Sequence, residues 1–236
     1  MRRVNLQAAR SGIPPIAALA VGALLWFVPT LGQPLVGPIV AALRALGLPQ
    51  EDTGGYPAGF VATLVLRWFA VVLLLVFVLA VEGQPLSSLG VRAPRAKDLL
   101  LTVAVAVLAT VIGFGLYLLI QGGEVDGATQ TGRILTSLSF GQLVHLVVNA
   151  AVVEELFFRG FLIERTIAVT GRPWLAAVGS YLLFVGSHIP GSGLPTALTI
   201  TAVGSLALVG LYMLRRNLFL CVGAHALGDT PILLAG

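Results

Sequence analysis

Residues 142–162 read QLVHLVVNAAVVEELFFRGFL, and the fold turns on this stretch. It is long enough to cross a bilayer, which takes roughly 20 residues, and it is apolar around a short polar core of Glu154, Glu155 and Arg159. On a soluble helix such a trio would be a solvated face. Inside an apolar span each charge costs about 2.5–3.5 kcal/mol even on mild scales, so it persists only if it is paired or used. Glu155 and Arg159 stand four apart on one helix face and are expected to pair. Glu154 points about 100° away from Glu155 and is left without that partner. A buried carboxylate of this kind is suited to accept and return a proton.

Two further apolar segments carry the same anomaly. His188 ends the run Pro173–His188, one helical turn after Phe184 and just before Ile189-Pro190. His225 and Asp229 stand four apart in the run Leu218–Leu234. The burial of all these groups makes physical sense only if the segments pack together around one cavity. Two carboxylates and two imidazoles in such a cavity suit a hydrolase. A water held between Glu154 and His188 would be the nucleophile, while His225 and Asp229 would face the developing oxyanion or bind a metal that does. Glu154, His188 and His225 also form the two-imidazole, one-carboxylate set that catalytic zinc uses, with Asp229 behind it. No short HExxH-type pair accompanies them. The presence of a metal is left open, with metal-free catalysis slightly favoured over zinc.

The chain of 236 residues is 57% hydrophobic and 10% charged, whereas a soluble domain carries about 25% charge. This is membrane composition, and the expected fold is all-α: a single polytopic membrane domain spanning residues 1–236. Apolar runs predict seven transmembrane helices near Ile13–Leu31, Ala58–Val81, Leu99–Ile120, Gln142–Leu162, Pro173–His188, Leu194–Leu214 and Leu218–Leu234. Gln33–Leu48 is short and broken by Pro34, Pro38 and Arg44, and reads as a re-entrant or interfacial helix. Arg2-Arg3 before an apolar run resembles a signal peptide without a convincing cleavage site, so an uncleaved first span is expected.

With the N-terminus inside, Arg2, Arg3, Arg10, Arg92, Arg95, Lys97, Arg165, Arg172, Arg215 and Arg216 fall on the inner side, and only Arg44 and Arg133 on the outer. The positive-inside rule therefore predicts a cytoplasmic N-terminus and an external C-terminus. The basic residues lie in loops and not in a stripe, which argues against nucleic acid as a partner. Arg67, about ten residues into the second span, is expected to pair with a carboxylate across the bundle or to snorkel, with a substrate carboxylate as the sharper alternative. His145 reads as a structural hydrogen-bond partner. Cys221 reads as a small hydrophobe, and Ala176, Ala177, Gly179 and Gly186 as close-packing positions.

Glu154-Glu155-x-x-x-Arg159, Phe184-x-x-x-His188 and His225-x-x-x-Asp229, in this order on three late spans, resemble the three motifs of the CPBP family. That family joins CAAX prenyl protease 2 type enzymes with bacteriocin-processing and immunity proteins. The likeness runs from Gln142 to the C-terminus, so residues 142–236 would carry the catalytic motifs. The loop Pro85–Arg92 is similar to a segment common in bacterial members. The resemblance implies an intramembrane endopeptidase, of glutamate or metallo type, acting on a membrane-associated peptide or protein. Glu154 and His188 would activate the water, His225 and Asp229 would line the oxyanion side, and Glu155 and Arg159 would support the first motif. Asp229 stands where an Asn is usual, and an ionised Asp cannot donate to an oxyanion.

Arginine is the basic residue at every position except Lys97, which hints at high-GC prokaryotic coding and a prokaryotic cell membrane. Two other classes compete. One is a non-enzymatic immunity or adaptor protein that binds a partner through the same pocket. The other is a proton-coupled transporter, which the lack of an inverted-repeat hydropathy pattern disfavours.

Overall fold

Punctuation residues set the helix ends. In the computed structural model, which describes residues 12–47, 58–121, 135 and 138–234, the described residues form helices and no strands. The principal helices are α1 (Pro15–Trp26), α2 (Val36–Ala45), α3 (Ala58–Val76), α4 (Ala96–Ile120), α5 (Phe140–Glu155), α6 (Glu164–Thr170), α7 (Pro173–Thr196), α8 (Ala202–Arg215) and α9 (Leu218–Gly228). Pro15 and Pro173 open α1 and α7, where a missing N–H costs nothing. Ser139 and Gln142 form a capping box on α5, with the Ser139 N–H donating to Gln142 Oε1 at 2.7 Å. Asn217 caps α9 by accepting from the Phe219 N–H at 3.0 Å.

Among the described residues, three stretches are long and apolar enough to cross a membrane: Ala62–Val81, Ala96–Ile120 and Pro173–Arg215, accompanied by the shorter apolar helices Pro15–Trp26 and Leu218–Leu234. The 43-residue stretch is not one straight rod. Gly193 has φ 79° and ψ 163°, backbone open almost only to glycine, and the chain doubles back there. Tyr181 packs with Val185, Ala197 and Ala202 in one cluster, although a straight helix would put residues 181 and 202 about 30 Å apart. The outer faces are apolar and exposed, as at Leu100, Val111 and Leu119 of α4. A soluble monomer rarely shows a continuous apolar face of that size.

Ion pairs collect at one end of the bundle. Arg165 grips Glu82 through Nε at 2.8 Å and NH2 at 2.6 Å, and its NH2 also reaches Ser88 Oγ at 3.3 Å. Arg215 pairs with Asp98 at 2.9 Å, and Arg216 with Glu164 at 2.8 Å. The Leu218 N–H donates to the Gly90 carbonyl at 2.8 Å. Three of the four segments expected on the inner side, around Arg92–Lys97, Arg165–Arg172 and Arg215–Arg216, thus share one end. The fourth, Arg2–Arg10, lies outside the described residues, as do Glu51, Asp52, Glu124, Asp126 and Arg133.

Close packing falls at glycines other than the expected ones. A Cβ at Gly179 or Gly186 would meet nothing within 4 Å. At Gly22 it would run into the Phe161 ring, and at Gly160 it would lie 3.0 Å from the Leu89 carbonyl oxygen. Gly90 combines φ 76° with a Cβ position 2.7 Å from Tyr212 Oη, so only glycine lets the Leu86–Leu89 turn lie against α8. Ala176 is buried as expected, and Cys221 is buried among Leu208, Leu211 and Leu220. Of the stretch Gln33–Leu48, the described residues begin with a 3₁₀ turn, Gln33–Leu35, followed by α2, which packs on α3; Leu48 lies outside them.

Candidate active site

α5, α7 and α9 bring the three motif segments together, as their burial cost demanded. α5 does not end as an ordinary helix. From Leu156 to Ile163 the chain runs as π-helix, with i→i+5 hydrogen bonds, before α6 resumes. Such segments are rare and cluster at functional sites. Glu154 and Glu155 stand at the junction. Glu154 thus stands ten residues before Glu164 at the basic end.

Glu155 and Arg159 form the expected pair, at 2.8 Å, and both side chains are completely buried. Arg159 also donates to Ser205 Oγ at 3.1 Å, and its guanidinium lies 4.2 Å above the Phe184 ring. Glu155 Oε1 has a second partner, because His225 Nδ1 donates to it at 2.8 Å. Arg159, Glu155 and His225 are therefore one chain of contacts, and the carboxylate that orients the His225 ring is Glu155. Asp229 lies on the opposite ring nitrogen, with Oδ2 3.4 Å from His225 Nε2.

His188 is fixed in the same way. Its Nδ1 lies 2.8 Å from the Phe184 carbonyl, which can only accept, so Nδ1 carries the proton. In the neutral ring Nε2 then offers a lone pair, and it faces Glu154 Oε2 at 3.6 Å. His225 Nε2 is 3.9 Å from the same oxygen. A water at hydrogen-bond distance, about 2.8 Å, from both Glu154 Oε2 and His188 Nε2 fits at the apex of a triangle on this base. Arrangements of this kind can strip a proton from that water.

The expectation that Glu154 lacks a partner is corrected. Arg67 of α3 donates through NH2 to Glu154 Oε1 at 2.7 Å. Sequence reasoning foresaw a carboxylate for Arg67 but could not identify it, since the two residues lie on separate helices. His145 has the structural role expected of it, accepting from Trp68 Nε1 at 3.2 Å. Ser205 was not foreseen as a participant, and Phe184 was seen only as part of the second motif, without a role. Phe184 packs edge-on against Phe158 and tilts over His188, holding both Arg159 and the imidazole.

The set named for a metal if one is present, Glu154, His188 and His225, does not form a metal-holding group. Among the described residues no three His, Cys, Asp or Glu groups stand in an arrangement that could hold a metal ion, and Arg67 already occupies one oxygen of Glu154. Beside the site lies an apolar cavity of about 390 Å³ between α1 and α7, floored by the π segment and reaching Ser187.

A carboxylate thus faces two oriented imidazoles inside an apolar helix bundle. Residues 136–230 match the family described as Type II CAAX prenyl endopeptidase Rce1-like, a protease family and the one the three motifs resemble. No curated protein and no solved structure shows significant similarity to the chain.

Proposed function

We propose that this protein is an intramembrane endopeptidase that hydrolyses a peptide bond in a membrane-associated peptide or protein. The observation that carries the proposal is the placement of Glu154 Oε2 opposite both His188 Nε2 and His225 Nε2. Water between Glu154 and His188 loses a proton to Glu154 as its oxygen attacks the scissile carbonyl carbon. The proton passes to the departing amine when the C–N bond breaks. His225 donates from Nε2 to the developing oxyanion in its doubly protonated form, with the Glu155 and Asp229 carboxylates balancing its charge. Asp229 then acts through His225 and has no need to donate. Glu155 and Arg159 hold the ring. The catalytic set is thus Glu154, Glu155, Arg159, His188, His225 and Asp229, all within residues 142–236 of one membrane domain. The test is mass spectrometry of membranes containing wild-type or His188→Gln protein. New peptide termini are expected with wild type alone, and identical termini in both would favour a binding or adaptor role for the pocket.

We also propose seven passes with the basic end cytoplasmic and the C-terminus outside, a reading supported by the gathering of Arg92–Lys97, Arg165–Arg172 and Arg215–Arg216 at one end. A reporter fused after Lys97 should be active only in its cytoplasmic form. An external signal there would overturn the orientation and return Gln33–Leu48 as a true span.

A further inference from the structure

Arg67 is the cation of this site that the chemistry above does not use. On α3 the inward stripe runs through Leu64, Ala70, Val71 and Leu74, all buried, and Arg67 stands in that stripe where an apolar residue would be expected. Its neighbour Trp68 is held to α5 through His145, so two adjacent residues of α3 are tied to the helix that carries Glu154. The two carboxylate oxygens of Glu154 are shared out between partners: Oε1 receives Arg67 NH2 at 2.7 Å, and Oε2 faces the imidazoles. The terminal torsion of a free glutamate is broad and roughly two-fold, so nothing in the residue itself keeps one oxygen turned toward His188. A guanidinium on Oε1 removes that freedom. It also supplies the counter-charge that a buried ionised base needs.

We infer that Arg67 is a positioning residue, which clamps Glu154 by Oε1 so that Oε2 stays aimed at the water. The inference rests on Glu154 being the base. A side chain that fixes the base without touching substrate should change kcat and leave KM alone, since a misplacement near 1 Å can cost on the order of 10² in rate.

The experiment uses purified full-length protein in detergent and a quenched fluorescent peptide built around a bond that wild type cleaves in membranes. Arg67→Ala should lose on the order of 10²-fold in kcat at unchanged KM. Added guanidinium ion should restore much of the loss, and Arg67→Lys should retain more activity than Arg67→Ala. If Arg67→Ala does not fold, Arg67→Met, which keeps the apolar stem, replaces it. Wild-type kcat in a folded neutral variant would overturn the proposal, as would a loss confined to KM. Failure of both neutral variants to fold would assign Arg67 to stability alone and overturn it too. Glu154→Gln run in parallel separates the two ideas. An inactive Glu154→Gln beside a fully active Arg67→Ala sinks only the clamp, whereas an active Glu154→Gln sinks the base itself.

Discussion

Glu154→Gln is expected to lower turnover by roughly 10²–10⁴-fold, the range typical when a general base is removed. The fold should survive. The amide keeps the shape of the side chain, and its oxygen still accepts from Arg67, whose NH2 lies 2.7 Å from Oε1 in the wild-type protein. What disappears is the second oxygen, the one turned to His188 and His225. An amide nitrogen there donates and cannot take a proton from water. Turnover and thermal unfolding should be measured on the same detergent-solubilised sample. Wild-type turnover in a well-expressed Glu154→Gln protein would end the endopeptidase reading and leave a binding module in its place.

Arg159→Ala should fail in a different way. Arg159 and Glu155 are both fully buried, and their 2.8 Å contact is the only ion pair Arg159 makes among the described residues. Removing one partner leaves an uncompensated carboxylate in an apolar interior, a loss of about 3–5 kcal/mol. The damage should spread to His225, whose Nδ1 shares Glu155 Oε1, and to Phe184, which loses the guanidinium above its ring. Unfolding curves should therefore move sharply for Arg159→Ala and little for Glu154→Gln. Equal stability of the two variants would show that the Arg159–Glu155–His225 chain does not support the bundle.

The parts legible in the sequence were those encoded within one helix. The Glu155–Arg159 pair follows from a spacing of four, and the approach of His225 to Asp229 follows from the same rule. Convergence of three segments was legible too, because isolated charges in apolar runs are too costly to leave apart. Contacts between helices were not. Arg67 and Glu154 are 87 positions apart, and which carboxylate meets Arg67 depends on how α3 packs on α5. The same holds for His225, where the local partner Asp229 was visible but the closer one, Glu155, was 70 positions away. Gly179 and Gly186 looked like packing sites by composition, yet the tight approaches fall at Gly22, Gly90 and Gly160, where a neighbour in space decides. The division of Pro173–Arg215 was anticipated as two spans, and Gly193 supplies its hinge by adopting backbone angles that other residues avoid.

The π segment Leu156–Ile163 sets the rotational phase of the whole rod from Phe140 to Thr170. Each wide turn takes up one more residue than an α-turn, so side chains beyond it arrive later around the axis than a count in steps of 100° would place them. At one end of this spacer Glu154 must face Arg67, and at the other Arg165 must face Glu82, with the two carboxylate–guanidinium contacts at 2.7 and 2.6 Å. The segment is thus a length standard. It keeps Glu154 and the anchored basic end in register along one continuous backbone, and the number of residues between them matters as much as their identity.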